Sequence, residues 1–148
     1  MAGTVASALR SALVDALAPL ISPVKISYGS PGKLGRTEGV WLGTARDTSL
    51  DSDHEPAALR GGRVRRRETL RTDVVFEVMS KNTPREAEAR AVALGTLLEE
   101  YLADNPTVGG VATLLWCVVE GIELDTTETA DGPRCVLIYT LSAMSDLL

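Results

Sequence analysis

The segment "TPREAEARAVALGTLLEEYLADNP", residues 83–106, most constrains the fold, because it predicts one long amphipathic helix with both ends marked. Thr83 suits the N-cap, Pro84 suits the first helical position, and Glu86 completes a capping box. One side of the predicted helix is an apolar stripe formed by Ala87, Ala91, Leu94, Leu98, Tyr101 and Leu102. A helix of this kind must bury its stripe against a second layer of structure.

A second amphipathic helix is predicted near the N-terminus, where apolar residues recur every four positions from Thr4 to about Ala18. Five further segments show the alternation or the apolar runs of β-strands: residues 23–29, 38–46, 68–80, 112–125 and 133–143. We therefore predict an α/β (α+β) fold in a single domain, residues 1–148. Two helices should pack on one face of a single mixed or antiparallel sheet of about five strands, in the order helix, three strands, helix, two strands.

The second face of the predicted sheet is too apolar to be left in water. The run "ATLLWCVV" is apolar on both faces, and the outward face also receives Trp41, Val75 and Met79. A contiguous apolar surface of this kind indicates a covering partner. A partner subunit is the economical candidate, and the alternative is a long loop that folds over the sheet.

Two connections carry turn-forming residues. The stretch "GSPGKLG", residues 29–35, lacks the four-residue spacing and the following helix of a phosphate-binding loop, so it favours a hairpin turn between the first two strands. The stretch "DTSLDSDHEPAALRGG", residues 47–62, has no period and predicts a mobile loop at about 47–66.

An arginine-rich block follows that loop and enters the third strand. Residues 60–71 carry six Arg and one Glu, so they contribute +5, while the rest of the chain sums to −10. The block allows three interpretations: contact with acidic protein surfaces, a solvated charged loop, or binding to the backbone of a nucleic acid. Sequence-specific reading of bases is not expected, because no aromatic residue is interleaved with the arginines.

The sequence offers little for catalysis. Its single histidine, His54, lies in the loop "DSDHE", and the nearby Asp51, Asp53 and Glu55 lack the spacing of a calcium or zinc site. We expect no enzyme activity, no cofactor and no metal. Cys117 and Cys135 lie in apolar runs and are expected to be buried thiols. No apolar run is long enough for a membrane span, and a soluble protein of a reducing cytoplasm is expected.

These elements together resemble the tail terminator proteins of long-tailed bacteriophages. The likeness rests on the order and length of the elements and on short sequence segments: "FEV" in the third strand, "EAEARA" in the second helix and "NPTVGG" at its end. It spans nearly the whole chain.

The resemblance implies a structural virion protein that assembles as a ring, usually a hexamer, on the end of the tail tube. Such a ring would stop tube polymerisation and join the tail to the head connector. The implied partners are other copies of the chain, the tail tube protein, the connector protein and genome DNA that passes through the lumen without sequence-specific binding. The protein would be assembled in the host cytoplasm and reside at the head-proximal end of the tail.

Eight residues are the candidates for subunit or tail-tube contacts: Arg60, Arg63, Arg65, Arg66, Arg67, Arg71, Asp73 and Glu77. Arg71, Asp73 and Glu77 alternate on what should be the outward face of the third strand. The alternative functions are a head-closure or connector adaptor and a module that binds the DNA backbone.

Overall fold

A computed structural model describes residues 4–30, 37–52 and 66–147. The described residues form two helices, α1 (Ala6–Ile21) and α2 (Pro84–Asp104), and five strands: β1 (Ile26–Ser27), β2 (Glu38–Ser52), β3 (Arg66–Met79), β4 (Leu114–Thr129) and β5 (Gly132–Leu147). The predicted class and the order helix, three strands, helix, two strands are confirmed.

The five strands form one mixed sheet in the spatial order β1-β2-β3-β5-β4. The pair β1/β2 is parallel, whereas β2/β3, β3/β5 and β5/β4 are antiparallel. The last strand of the chain therefore lies between β3 and β4. Strand β4 is an edge strand, and its side away from β5 forms one border of the sheet. This arrangement places the arginine-bearing start of β3 beside the end of β5, with Arg67 in register with Asp146.

Both helices bury their apolar stripes against the same face of the sheet. Alternate residues of β3 and β5 point into this core, and Phe76 packs edge-on against Tyr139 with 5.5 Å between ring centres. From α1 the core receives Leu9, Leu13, Leu17 and Ile21, and from α2 it receives Ala87, Ala91, Leu94, Leu98 and Leu102. The opposite face of the sheet is consequently the one that the helices leave open.

The two helices begin in different ways. The Thr83 side chain accepts a hydrogen bond from the Glu86 amide at 3.2 Å, so the predicted N-cap of α2 is confirmed. The N-cap position of α1 is Val5, which has no side-chain oxygen. Glu68 of β3, fully buried, takes over this role by accepting a hydrogen bond from the Val5 amide at 2.7 Å and another from the Thr4 hydroxyl.

Arg10 of α1 reaches a bulge in β2, where the register with β3 shifts between Leu42 and Ala45. Its guanidinium donates to the carbonyl oxygen of Gly43 at 2.6 Å and to the hydroxyl of Thr72 at 2.9 Å. A bulge removes a backbone carbonyl from the strand ladder, and the arginine supplies the missing donor. The first helix is thereby tied to the sheet by polar as well as apolar contacts.

The hairpin predicted between the first two strands is wrong. Ile26 and Ser27 pair with Val40 and Trp41 in parallel, and a tight turn can join only antiparallel neighbours. Alternation in the sequence indicated two strands but carried no information on their relative direction. Residues 31–36 of the connection lie outside the described residues.

The boundaries of the predicted loop at 47–66 also differ from the structure. Strand β2 continues to Ser52 and β3 begins at Arg66, because the two strands pair in antiparallel register as far as Ser52 and Arg66. Ladder hydrogen bonds there outweigh the absence of an apolar period in the sequence. The remainder, residues 53–65, lies outside the described part of the chain.

Candidate functional site

The candidate site is the outward face, which we define as the side of the sheet opposite to the two helices. Within the described residues no helix packs on it. The register of the strands assigns these side chains to it: Trp41, Arg67, Arg71, Asp73, Val75, Glu77, Trp116, Val118, Arg134, Ile138 and Thr140. Glu120, in a bulge of β4, joins them through its contact with Arg71. The surface combines large apolar groups with charged ones, as a protein interface does.

A bidentate ion pair crosses the centre of the outward face. Arg71 on β3 donates through Nε to Glu120 Oε2 at 2.5 Å and through Nη2 to Oε1 at 2.8 Å. Glu120 belongs to β4, so the arginine reaches across β5, where Ser142 is its register partner. Both side chains are 39% exposed, which indicates a modest contribution of the pair to folding stability.

Three further polar contacts link β3 to β5. Arg67 pairs with Asp146 at 3.0 Å, and Asp73 accepts a hydrogen bond from the hydroxyl of Thr140 at 3.1 Å. Glu77 forms an ion pair with Arg134 and is only 5% exposed. Each charged residue that β3 is seen to place on the outward face therefore has a partner on β4 or β5, and the face presents ordered ion pairs to any partner.

Apolar side chains lie between these pairs. Val75 is 8% exposed although no helix covers it among the described residues, and its β2 register partner is Trp41. At the β4 border Val118 is 46% exposed and Leu115 is 42% exposed. Exposed apolar groups of this size beside ordered charges are typical of surfaces that bind other proteins.

Four of the eight predicted contact residues occupy this face: Arg67, Arg71, Asp73 and Glu77. Arg66 lies in β3, but its side chain is outside the described part of the structure. Arg60, Arg63 and Arg65 lie wholly outside the described residues. The structure therefore brings the strand-borne candidates together.

Sequence reasoning missed the partners of these residues. Glu120, Arg134 and Asp146 come from β4 and β5, and they lie 49, 57 and 79 positions from their β3 partners in the chain. Glu68 was also missed, although its position in phase with Leu70 and Thr72 assigns it to the core face of β3. A carboxylate at a core-facing position of a strand indicates that hydrogen-bond donors or a cation lie beside it in the folded chain.

The β4 border is also lined by an open apolar groove of about 250 Å³ between α2 and the strand. Its lining residues are Glu99, Leu102, Ala103, Cys117, Val118 and Val119. Farther along the same border Ile122 is 55% exposed and Leu124 is 45% exposed. The groove is apolar and holds one carboxylate, which suits the side chains of another protein.

Within residues 4–30, 37–52 and 66–147, no three His, Cys, Asp or Glu residues are placed to hold a metal ion. Among the helices that the structure describes, none has the length and apolar content to cross a membrane.

Both cysteines are free and buried, as predicted. Burial raises the pKa of the Cys117 thiol to about 12, and it is also the largest cause of the raised pKa of Cys135. The neutral thiol is thus favoured in the folded chain.

This pKa shift predicts a loss of stability in alkaline solution. An unfolded thiol loses its proton from about pH 9, whereas folded Cys117 keeps its proton, so the free energy of unfolding should fall as pH rises from 9 to 12. The contribution of Cys117 is at most about 1.4 kcal/mol per pH unit. Urea unfolding at several pH values measures the slope, and Cys117→Ala should make it shallower; an unchanged slope would contradict the assignment.

In comparisons with known proteins, the chain matches no family model and no curated protein.

Proposed function

We propose that the chain is a structural virion protein that assembles as a ring on the end of a phage tail tube, ends its polymerisation and forms the interface to the head connector. The observation that carries the proposal is the outward face, which combines exposed apolar groups with ordered ion pairs. The described order of elements is also the order on which the resemblance to tail terminator proteins rests.

In a ring, the outward face and the sheet borders would form contacts between subunits. A closed ring joins identical subunits through two different patches, so a basic patch and an acidic patch on one chain can satisfy each other. The arginine-rich block contributes +5, and β4 contains no Lys or Arg but four carboxylates: Glu120, which pairs with Arg71 of the same subunit, and Glu123, Asp125 and Glu128. Such complementary charges steer identical subunits into one relative orientation.

The ring would not depend on catalytic chemistry. Its acidic excess outside the arginine-rich block would repel the phosphates of DNA in the lumen and let the genome slide past. The arginine-rich block would then be used for contacts with protein, at the subunit interface or on the tail tube.

Charge reversal in the arginine-rich block tests this proposal. Arg65→Glu combined with Arg66→Glu should abolish assembly and capping of tail tubes, because two guanidinium groups that meet carboxylates become repulsive. The double variant Lys81→Glu/Arg85→Glu has the same charge change at two exposed positions, one just before α2 and one in its first turn, and should assemble as the wild type does. Mass by light scattering and electron microscopy of capped tubes measure the two effects.

The same variants separate the rival functions. Loss of salt-sensitive DNA affinity with unchanged assembly would contradict a role of the arginine-rich block in assembly and favour a module that binds the DNA backbone. Binding to the portal side in place of the tube end would favour a connector adaptor.

A further inference from the structure

We propose that the subunits of the ring join through their sheets: the free border of β4 in one copy accepts the free border of β2 from the next copy as an added antiparallel strand. This inference rests on the proposed ring and specifies its subunit contact. The partner is thus a second copy of this chain.

Strand β4 is a long open border. Its 16 residues pair with β5 on one side, and no strand within the described ranges pairs with its other side. Along such a border, alternate residues direct their amide and carbonyl groups outward, where they can bind a further strand. Natural proteins usually shorten or cover a border of this length, so its preservation indicates that it has a partner.

Strand β2 supplies a second open border on the opposite side of the sheet. It spans 15 residues, but β1 pairs only with Val40 and Trp41. Among the residues that the structure describes, no strand covers the outer side of residues 42–52. The two borders are different surfaces of one subunit, which is the condition for a head-to-tail contact that closes into a ring.

Strand direction fits this contact. Because β2/β3, β3/β5 and β5/β4 are all antiparallel, β2 and β4 of one subunit run in opposite directions. A neighbour rotated about an axis along the strands keeps its own strand directions. Its β2 therefore meets β4 in antiparallel orientation, which is the pairing that the rest of the sheet already uses.

Charge disfavours the competing contact, in which β4 pairs with β4 of a second copy. All charged residues of β4 are acidic, and Glu123 and Glu128 form no ion pair within the described part of the chain. A two-fold ladder would bring both sets of carboxylates together, and like charges across a ladder are destabilising. Residues 42–52 of β2 carry Arg46 together with Asp47 and Asp51, a net charge of −1 against −4 for β4, so the pairing of β4 with β2 brings fewer like charges together.

Apolar burial favours an added strand. Val118 flanks the open border on the outward face, and Ile122 flanks it on the helix-bearing face. The groove between α2 and β4 opens at the same border and is lined by Leu102 and Val119. Side chains of an incoming strand alternate between the two faces, so they can cover both apolar regions at once.

Paired lysine substitutions test the contact. Val118→Lys/Ile122→Lys should raise the subunit dissociation constant by about 100-fold, because lysines on a border strand oppose strand addition. The control Leu20→Lys/Val92→Lys adds the same charge at helix positions that are 43% and 45% exposed, and it should assemble normally. Circular dichroism and thermal unfolding confirm that each variant is folded, and light scattering gives its mass.

Hydrogen exchange of the wild-type protein supplies the second readout. Assembly should slow amide exchange about tenfold or more in β4 and in residues 42–52. Unchanged exchange in these segments, or equal loss of assembly in both lysine pairs, would overturn the shared sheet but leave the ring intact. A wild-type protein that remains a single subunit in solution and on tail tubes would overturn the ring and the shared sheet together.

Discussion

Glu68→Ala should lower the free energy of unfolding by about 3 kcal/mol. The substitution removes the buried carboxylate that accepts hydrogen bonds from the Val5 amide and the Thr4 hydroxyl, and it leaves a cavity beneath the first turn of α1. The carboxylate also lies at the positive end of the helix dipole, so its charge is lost where it is most favourable. Chemical denaturation monitored by circular dichroism measures the change.

Ser145 provides the matched control, because it is in register with Glu68 on β5 and is equally buried. Its hydroxyl oxygen has no hydrogen-bond partner among the described residues. We therefore expect Ser145→Ala to change the free energy of unfolding by about 0.5 kcal/mol or less, in either direction. Similar losses in both variants would contradict a specific role of the Glu68 carboxylate in capping α1.

Gly95→Ala should also destabilise the fold, by about 1–3 kcal/mol, although alanine is the better helix former. A Cβ at this position would lie 2.6 Å from the hydroxyl oxygen of Tyr139 and 2.9 Å from Leu137 Cδ2. Tyr139 is 3% exposed and contacts Phe76 edge-on, so it has little room to move. The glycine is thus required by the close approach of α2 to β5.

The exposed helix position Ala93 is the control for Gly95. There Ala93→Gly should cost about 1 kcal/mol, since helix propensity alone acts. If glycine is the more stable residue at position 95 and alanine at position 93 of the same helix, the difference measures the effect of packing at position 95. A Gly95→Ala variant more stable than the wild type in thermal unfolding would contradict the close helix–sheet contact.

Part of the candidate site was predictable from alternation. Arg71, Asp73 and Glu77 are separated by even numbers of residues and are out of phase with the core residues of β3, and this places them on the outward face. Their partners were not predictable, because the bond between Arg71 and Glu120 depends on β5 lying between β3 and β4. Alternation reports which face a side chain occupies but not which strand lies beside it.

Strand direction was equally hidden in the sequence. The segments that hold β1 and β2 read as a hairpin because a turn-forming stretch separates them, yet the two strands are parallel. The borders of β2 and β4, which no other strand of the described residues covers, follow from the same topology. No local pattern distinguishes a border strand from an interior one, since β4 is as rich in apolar residues as a buried strand.

Local stretches of the sequence were enough to predict the class of the fold, the order of its elements, the cap of α2 by Thr83 and the faces of β3, because each depends on residues close together along the chain. The strand order, the ion pairs of the outward face and the capping of α1 by Glu68 were visible only in the folded chain. These depend on residues far apart in the chain, and their energies arise only when distant strands and helices pack together.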